Sequence, residues 1–170
     1  MELLQGSLYF IGDDFFEKVE DSNLMVNYAT TPRPHYYAVR DVKMGLLWRI
    51  PCSSRVEKYQ RIIHDRKNRH RSTLGVRIVK IRGEKTVLLF QSMFPIREKY
   101  IGGRYFRAGM PVLVANPETV EIIERQANRV ITFIRRGIRF FPDQPEAMRI
   151  EKLMLEELAQ AEKKLERCPV

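Results

Sequence analysis

Cysteine and histidine are scarce in this sequence. Its 170 residues include two cysteines, Cys52 and Cys168, and three histidines. Two cysteines are too few for the disulfide framework of a small secreted domain, and this pair lies too far apart for a typical zinc motif. A reducing, cytoplasmic environment is the simplest expectation for such a chain.

Long apolar runs are missing as well. No apolar stretch approaches the length of about 20 residues that a transmembrane helix needs. The first residues, MELLQGSLYFIGDDF, have no basic start, and Asp13 and Asp14 end their apolar run early. The sequence therefore predicts neither a membrane span nor a secretory signal peptide.

The motifs of several enzyme classes are also absent. The sequence contains no phosphate-binding loop, no dinucleotide-binding fingerprint and no nucleophile elbow. Its acidic residues are dispersed among basic ones, so a two-metal carboxylate site is not evident. We therefore predict no bound metal and no cofactor.

Positive charge is what the sequence has in excess. Thirty lysines and arginines against 21 acidic residues give a formal net charge of +9, and 44% of the residues are hydrophobic. The length suits one domain, residues 1–170, with a hydrophobic core. The basic excess favours an anionic partner, most often nucleic acid.

Short apolar segments predict an antiparallel sheet followed by two helices, which is an α+β fold. Residues 35–41 and 46–50 are expected to form a hairpin, because only a short turn separates them. Asn116 is predicted to cap the first of the closing helices and Gly137 to end it. Further strands are predicted at residues 7–11, 76–81, 86–91 and 111–115, and a short helix at residues 15–20 capped by Asp13 or Asp14.

Residues 50–71, IPCSSRVEKYQRIIHDRKNRHR, concentrate the positive charge. Between Arg55 and Arg71 there are seven basic residues and two acidic ones. A strand is expected to end at Pro51, and Ser53 or Ser54 to cap a basic helix. Because helix N-termini attract phosphate, this segment predicts a phosphate-binding site.

A metal-free cleavage of RNA fits these residues. The 2′-hydroxyl must lose its proton and attack the adjacent phosphate, so the protein has to supply a proton acceptor, cations and a proton donor. Lys58 and Arg61 lie on one helix face, where they could neutralise the phosphate. Histidine side chains ordinarily titrate near neutral pH, so His35 is the best candidate for proton transfer.

Each of these features also has a structural interpretation. Serines before a helix are often only caps, a lone histidine in a strand is often structural, and a basic helix is commonly a solvated face. The residues therefore leave three functions open: a metal-free nuclease, a non-catalytic RNA- or DNA-binding module, and a protein-interaction domain whose charge serves solubility.

Three motifs in combination carry a resemblance to a known family. They are RPHY at residues 33–36, PCSSRVEKY at residues 51–59 and FQSMFPI at residues 90–96. With them the chain resembles toxins of type III toxin–antitoxin systems, in particular the CptIN group, which is related to the ToxN and AbiQ toxins. The resemblance runs from about residue 6 to about residue 157.

The resemblance implies both a fold and an activity. The fold would be a strongly bent antiparallel sheet or small barrel of the MazF/Kid type, with surrounding helices and two C-terminal helices. The activity would be metal-independent, sequence-specific RNA cleavage that leaves a 2′,3′-cyclic phosphate and a 5′-hydroxyl. The antitoxin would be a repeat RNA that the toxin cuts into pseudoknots, which inhibit it in closed protein–RNA assemblies. Some members of the family abort phage infection.

The family's Pro-x-Ser/Thr-Ser motif falls on Ser53 and Ser54. The ToxN branch has a lysine two places later, where this chain has Val56, and Lys58 is the nearest lysine beyond it. Where that branch has a lysine near the first hairpin strand, this chain has Arg33 and His35. The predicted catalytic residues are His35, Ser53, Ser54 and Lys58, and the predicted RNA-binding residues are Arg33, Tyr36, Arg55, Arg61, Arg66, Lys67, Arg69, Arg71, Arg104 and Arg107.

Overall fold

The sheet comes first along the chain and the long helices come last. The computed structural model describes residues 2–167. The strands are β1 Leu8–Ile11, β2 His35–Asp41, β3 Leu46–Ser53, β4 Arg77–Ile81, β5 Glu84–Leu88, β6 Phe94–Ile96, β7 Ile101–Arg104, β8 Phe106–Arg107 and β9 Met110–Pro111. The helices are α1 Asp13–Val19, α2 Val56–Asn68, α3 Pro117–Arg135 and α4 Ala147–Glu166. None of these helices is long and apolar enough to cross a membrane.

Strand β3 is the centre of the sheet. The strand order is β4-β5-β3-β2-β1-β7, and β6 also pairs with β3. One edge of β3 pairs with β2, as the hairpin prediction requires. Its other edge is shared, because residues 47–49 pair with β6 while Cys52 and Ser53 pair with β5. All eight residues of β3 are buried, so this strand holds the two parts of the sheet together.

The predicted α+β class with an antiparallel sheet is confirmed, but the small MazF/Kid-type barrel, one of the two forms predicted for that sheet, is not. Within residues 2–167, the edge strands β4 and β7 share no backbone pairing. Side chains of two hairpin tips approach each other instead: Arg82 Nη1 donates to the Arg107 carbonyl at 3.1 Å, and Arg107 forms an ion pair with Glu84. Because side chains rather than backbone groups span this gap, a cleft remains between the tips.

Helices cover both faces of the sheet. Tyr36 and Trp48 on one face pack with the buried stripe of α3. Tyr37 and Leu46 on the other face pack with buried residues of α1 and α4. Each such side chain contributes about 1.5–3 kcal/mol when fully buried, so these two clusters are the main source of stability.

The ends of α3 are those predicted from the sequence. The Asn116 side-chain oxygen accepts hydrogen bonds from the amides of Glu118 and Thr119, at 2.8 and 3.2 Å. Gly137 follows the helix with a φ of 78°, the left-handed conformation that glycine adopts without strain. These signals are local, which is why the sequence alone identifies them.

Three predicted elements differ in detail. Asp13 and Asp14 lie inside α1, and its N-cap Gly12 offers no side-chain hydrogen bond. The strand predicted at residues 86–91 ends at Leu88, and a short 3-10 helix, Phe90–Ser92, follows. The strand predicted at residues 111–115 is reduced to β9 and an isolated bridge between Ser7 and Leu113.

Candidate active site

Ser53 and Ser54 lie at a strand end rather than at a helix cap. Strand β3 continues past Pro51, and Ser53 pairs with Val87 of β5. The Ser53 hydroxyl accepts a hydrogen bond from the Arg55 amide at 3.2 Å, which forms a tight turn. Helix α2 begins only at Val56. The predicted serine cap is therefore wrong, because pairing with β5 keeps Ser53 in the sheet.

Both serines line a cleft of about 370 Å³ between the hairpin tips. Core residues such as Leu8 and Cys52 line part of it. Two tyrosines also face it, Tyr28 from the loop before β2 and Tyr105 from the segment before β8. The cleft therefore combines hydroxyl groups, aromatic rings and an apolar surface at the end of the central strand.

The cleft is electropositive. Arg82, Lys85 and Arg107 line it, and they face one carboxylate, that of Glu84. Among residues 2–167 no group of three or more His, Cys, Asp or Glu side chains is placed to hold a metal ion. The excess of cations suits an anionic ligand such as the phosphate of a nucleic acid.

Cys52 is not a reactive thiolate. Its side chain is buried, and burial raises the pKa of the thiol to about 12. Because the thiolate is the nucleophilic form, Cys52 is inert at neutral pH. Its buried side chain contributes apolar surface to the cleft.

His35 lies in the core and not in the cleft. Its ring packs between Phe16 and Phe94, with centroid distances of 6.4 and 5.7 Å. Its Nδ1 is 3.0 Å from the Arg33 carbonyl oxygen, and its buried Nε2 has no hydrogen-bond partner within the described residues. Burial, followed by the charge of Arg49, lowers the pKa of His35 to about 3. A direct proton transfer between RNA and this neutral, enclosed ring is therefore incompatible with the structure.

Arg33 and Tyr36 are also buried, which corrects their predicted contact with RNA. Arg33 is only 9% exposed and donates to the carbonyls of Val26 and Cys52, at 3.2 and 3.4 Å. Its guanidinium lies 4.4 Å from the ring centroid of Tyr28. Tyr36 has no exposed surface, and burial raises the pKa of its hydroxyl. Arg33 holds the loop that carries Tyr28, and Tyr36 belongs to the core.

Helix α2 presents most of its surface to solvent. Three of its apolar side chains, Val56, Tyr59 and Ile63, pack at the edge of a small cluster beneath it, and none is fully buried. Lys58 is exposed in the first turn but does not line the cleft. The other predicted RNA-binding residues of this segment are exposed or half-buried: Arg55, Arg61, Arg66, Lys67, Arg69 and Arg71.

The cations of α2 are largely free of acidic partners. Within residues 2–167 the only salt bridge that involves a side chain of α2 joins its Asp65 to Arg69, the residue after the helix, at 3.1 Å. On α3 and α4, by contrast, Arg125 pairs with Glu121 and Arg135 pairs with Glu151. Unpaired cations are the ones that can neutralise phosphates, so α2 is the more suitable surface for RNA.

The structure brings together only some of the predicted residues. Ser53, Ser54 and Arg107 share the cleft, whereas Arg104 is half-buried on β7 and does not line it. Sequence reasoning missed the cleft residues Tyr28, Arg82, Glu84, Lys85 and Tyr105. The RGEK segment at residues 82–85 indicated only a turn, because nothing local shows that this turn faces Arg107.

Comparison with known proteins supports the fold. No protein-family model matches the chain, and a search of the curated proteins found no match. Among solved structures it is similar to AbiQ, a lactococcal anti-phage endoribonuclease belonging to the type III toxin–antitoxin system. The TM-score is 0.67, over 92% of this chain and 98% of AbiQ, at 12% sequence identity. This chain has the AbiQ fold. The predicted resemblance to the ToxN and AbiQ toxins is thereby confirmed for the fold, whereas the roles of individual residues stay predictions.

Proposed function

We propose that this protein is an endoribonuclease toxin of a type III toxin–antitoxin system. The observation that carries the proposal is the position of Ser53 and Ser54 in an electropositive cleft of a chain with the AbiQ fold. A single RNA strand suits such a cleft, because cations attract its phosphates and aromatic rings stack with its unpaired bases. Tyr28 and Tyr105 provide those rings.

The proposed reaction is a transesterification within the RNA strand. The 2′-hydroxyl attacks the adjacent phosphorus, the bond to the 5′-oxygen breaks, and the products carry a 2′,3′-cyclic phosphate and a 5′-hydroxyl. The hydroxyls of Ser53 and Ser54 hydrogen-bond to the substrate phosphate or the 2′-hydroxyl. Arg107, which lines the cleft, stabilises the charge that develops on the phosphate.

The start of α2 adds to this stabilisation. The first amides of a helix have no carbonyl partner within it, and the helix dipole favours a negative charge there. Lys58 lies in this first turn. Although Lys58 does not line the cleft, we propose that its long side chain reaches the pentacoordinate phosphate from the helix side.

The exposed cations of α2 bind the RNA strand on either side of the phosphate that is attacked. They contact phosphates without reading the sequence, so the same surface accommodates a cut messenger RNA and a folded antitoxin RNA. We propose that the antitoxin is a pseudoknot processed from a repeat RNA by the toxin itself, and that it blocks the cleft in a closed protein–RNA assembly.

The function is tested by incubating the purified protein with RNA in EDTA and mapping the ends of the products. We expect cleavage without added metal, with 2′,3′-cyclic phosphate and 5′-hydroxyl ends. Cleavage that requires a divalent metal, or that leaves 5′-phosphate ends, would contradict the proposed chemistry. RNA binding that weakens with salt but never cuts a strand would favour a non-catalytic RNA-binding module.

The antitoxin is tested separately. We expect short tandem DNA repeats just upstream of the reading frame, and we expect their transcript to inhibit cleavage when added to the purified protein. If the transcript is present in excess and cleavage continues unchanged, the proposed partner is wrong while the nuclease activity stands.

A further inference from the structure

We propose that Glu84 is the general base that removes the proton from the 2′-hydroxyl of the RNA. The assignment rests on the endoribonuclease function proposed above. That reaction needs a proton acceptor, and His35 is enclosed in the core away from the cleft. Glu84 is the only carboxylate among the described residues that line the cleft with Ser53 and Ser54.

Strand pairing places Glu84 within reach of the serines. Ser53 pairs with Val87 at the end of β3, and Thr86, the next residue of β5 toward Glu84, lines the cleft with both serines. Thr86 and Glu84 are two residues apart on β5 and share one face of the strand. Two residues of a strand span about 7 Å. The Glu84 side chain therefore lies on the same side of β5 as Thr86, about 7 Å further along the strand, and lines the same cleft as the two serines.

The carboxylate is held in place and still has one oxygen available. Its Oε2 pairs with Arg107 Nη1, while its Oε1 makes no hydrogen bond within residues 2–167. The Glu84 side chain is 60% exposed and that of Arg107 is 62% exposed, so RNA can reach both. Arg82 donates to the Arg107 carbonyl and to the Met110 sulfur, which fixes the two hairpin tips against each other.

The proposed step needs only Glu84, Arg107 and water. Glu84 Oε1 accepts the proton of the 2′-hydroxyl as the 2′-oxygen forms its bond to phosphorus. The phosphorus–oxygen bond to the 5′-oxygen breaks, and its electron pair leaves with that oxygen, which takes a proton from a water molecule of the open cleft. Arg107 neutralises the non-bridging oxygens, and Glu84 then returns its proton to solvent.

The substitution Glu84→Gln tests the assignment, with Glu98→Gln as the matched control. Glu98 is also an exposed glutamate that pairs with an arginine, since its Oε2 accepts from Arg40 at 3.0 Å, but it lies outside the cleft. Cleavage of a labelled random-sequence RNA library should slow by about 100-fold or more in Glu84→Gln, the typical size of a general-base contribution. The Glu98→Gln variant should cleave like the unchanged protein.

Two further measurements separate proton transfer from RNA binding. Affinity is measured on 2′-O-methyl RNA, in which the nucleophilic 2′-hydroxyl is blocked. The Glu84→Gln variant should bind this RNA at least as tightly as the unchanged protein does, because the substitution removes a negative charge from the cleft. The unchanged protein should lose kcat as the pH falls and the base becomes protonated, and the variant should lose this dependence.

The outcomes distinguish this proposal from the one on which it rests. If the unchanged protein produces no cyclic-phosphate ends, the endoribonuclease function fails and the role of Glu84 fails with it. If the unchanged protein cleaves and Glu84→Gln stays within about threefold of its rate, only the role of Glu84 is overturned. If Glu84→Gln loses affinity for 2′-O-methyl RNA by the same factor as it loses cleavage rate, Glu84 is not the base, and its role is to position Arg107.

Discussion

Arg61 of α2 and Arg49 of β3 are the same residue type in opposite surroundings. Arg61 on α2 is exposed, and the structure places no carboxylate against it within the described residues. Arg49 on β3 has no exposed surface, and its Nη2 donates to the His35 carbonyl at 3.0 Å. Its guanidinium lies 5.2 and 5.7 Å from the ring centroids of Tyr9 and Tyr37.

The difference shows that basic residues near a functional motif serve two purposes. Burial lowers the pKa of Arg49 to about 10, so this side chain is still charged at neutral pH and costs free energy to bury. Arg33 and Arg49 stabilise the hairpin on which Ser53 lies. The cations of α2, which cost nothing to expose, provide the surface for RNA. Four substitutions test this division between framework and surface.

The largest expected effect is on catalysis. Ser54 is exposed and makes no side-chain hydrogen bond within residues 2–167, so Ser54→Ala should leave the free energy of unfolding unchanged. RNA cleavage should nevertheless fall by about 100- to 1,000-fold, because a donor to the phosphate is lost. Ser72→Ala is the control, since Ser72 is also exposed but lies outside the cleft, where its hydroxyl accepts a hydrogen bond from the Leu74 amide. Equal rates for both variants would remove Ser54 from the site.

The next effect is on stability. Arg49→Ala leaves a cavity between Tyr9 and Tyr37 and removes the hydrogen bond to the His35 carbonyl, so it should lower the free energy of unfolding by about 3 kcal/mol. Arg61→Ala should change it by less than about 0.5 kcal/mol. Urea denaturation monitored by circular dichroism measures both. Similar values for the two variants would show that burial does not separate the two kinds of arginine.

The third effect is a dependence of stability on pH. The pKa of His35 falls from 6.5 to about 3 on folding, so between these values the unfolded chain binds more protons and stability decreases as the pH falls. This group should account for a loss of about 2 kcal/mol between pH 7 and pH 5.

Two histidine variants isolate that contribution. His35→Gln should remove the loss between pH 7 and pH 5, whereas His64→Gln, which changes an exposed histidine of α2, should keep it. Denaturation curves at the two pH values provide the comparison. An unchanged pH dependence in His35→Gln would show that His35 is not the neutral, buried group described above.

The smallest effect is on RNA affinity. Removing one phosphate contact from a single strand lowers the slope of log K against log salt by about 0.7. Arg61→Ala should show this decrease for 2′-O-methyl RNA. Arg125→Ala should not, because that side chain lies on α3 and is already paired with Glu121 at 2.6 Å. Equal slopes for both variants would mean that α2 does not contact the RNA.

Local patterns predicted much of the fold and less of the site. The hairpin of β2 and β3, the Asn116 cap and the stripe of α3 depend on neighbouring residues, and all three are present. The serine motif was predicted to be part of the site, and both of its serines line the cleft. The hairpin places His35 opposite Pro51, at the end where the serines lie, but its ring points into the core because Phe16 and Phe94 enclose it there.

The sequence by itself determined the charge of this protein, its α+β order of elements and the position of the serine motif between a strand and a basic helix. These follow from composition and short-range periodicity. Only the tertiary structure decided which charged groups meet the serines. Glu84 and Arg107 reach the cleft from two hairpins that are distant in sequence. Tertiary packing buries Arg33, His35 and Tyr36, which were predicted to contact RNA. Contacts between distant segments depend on how the sheet folds, and no local pattern records them.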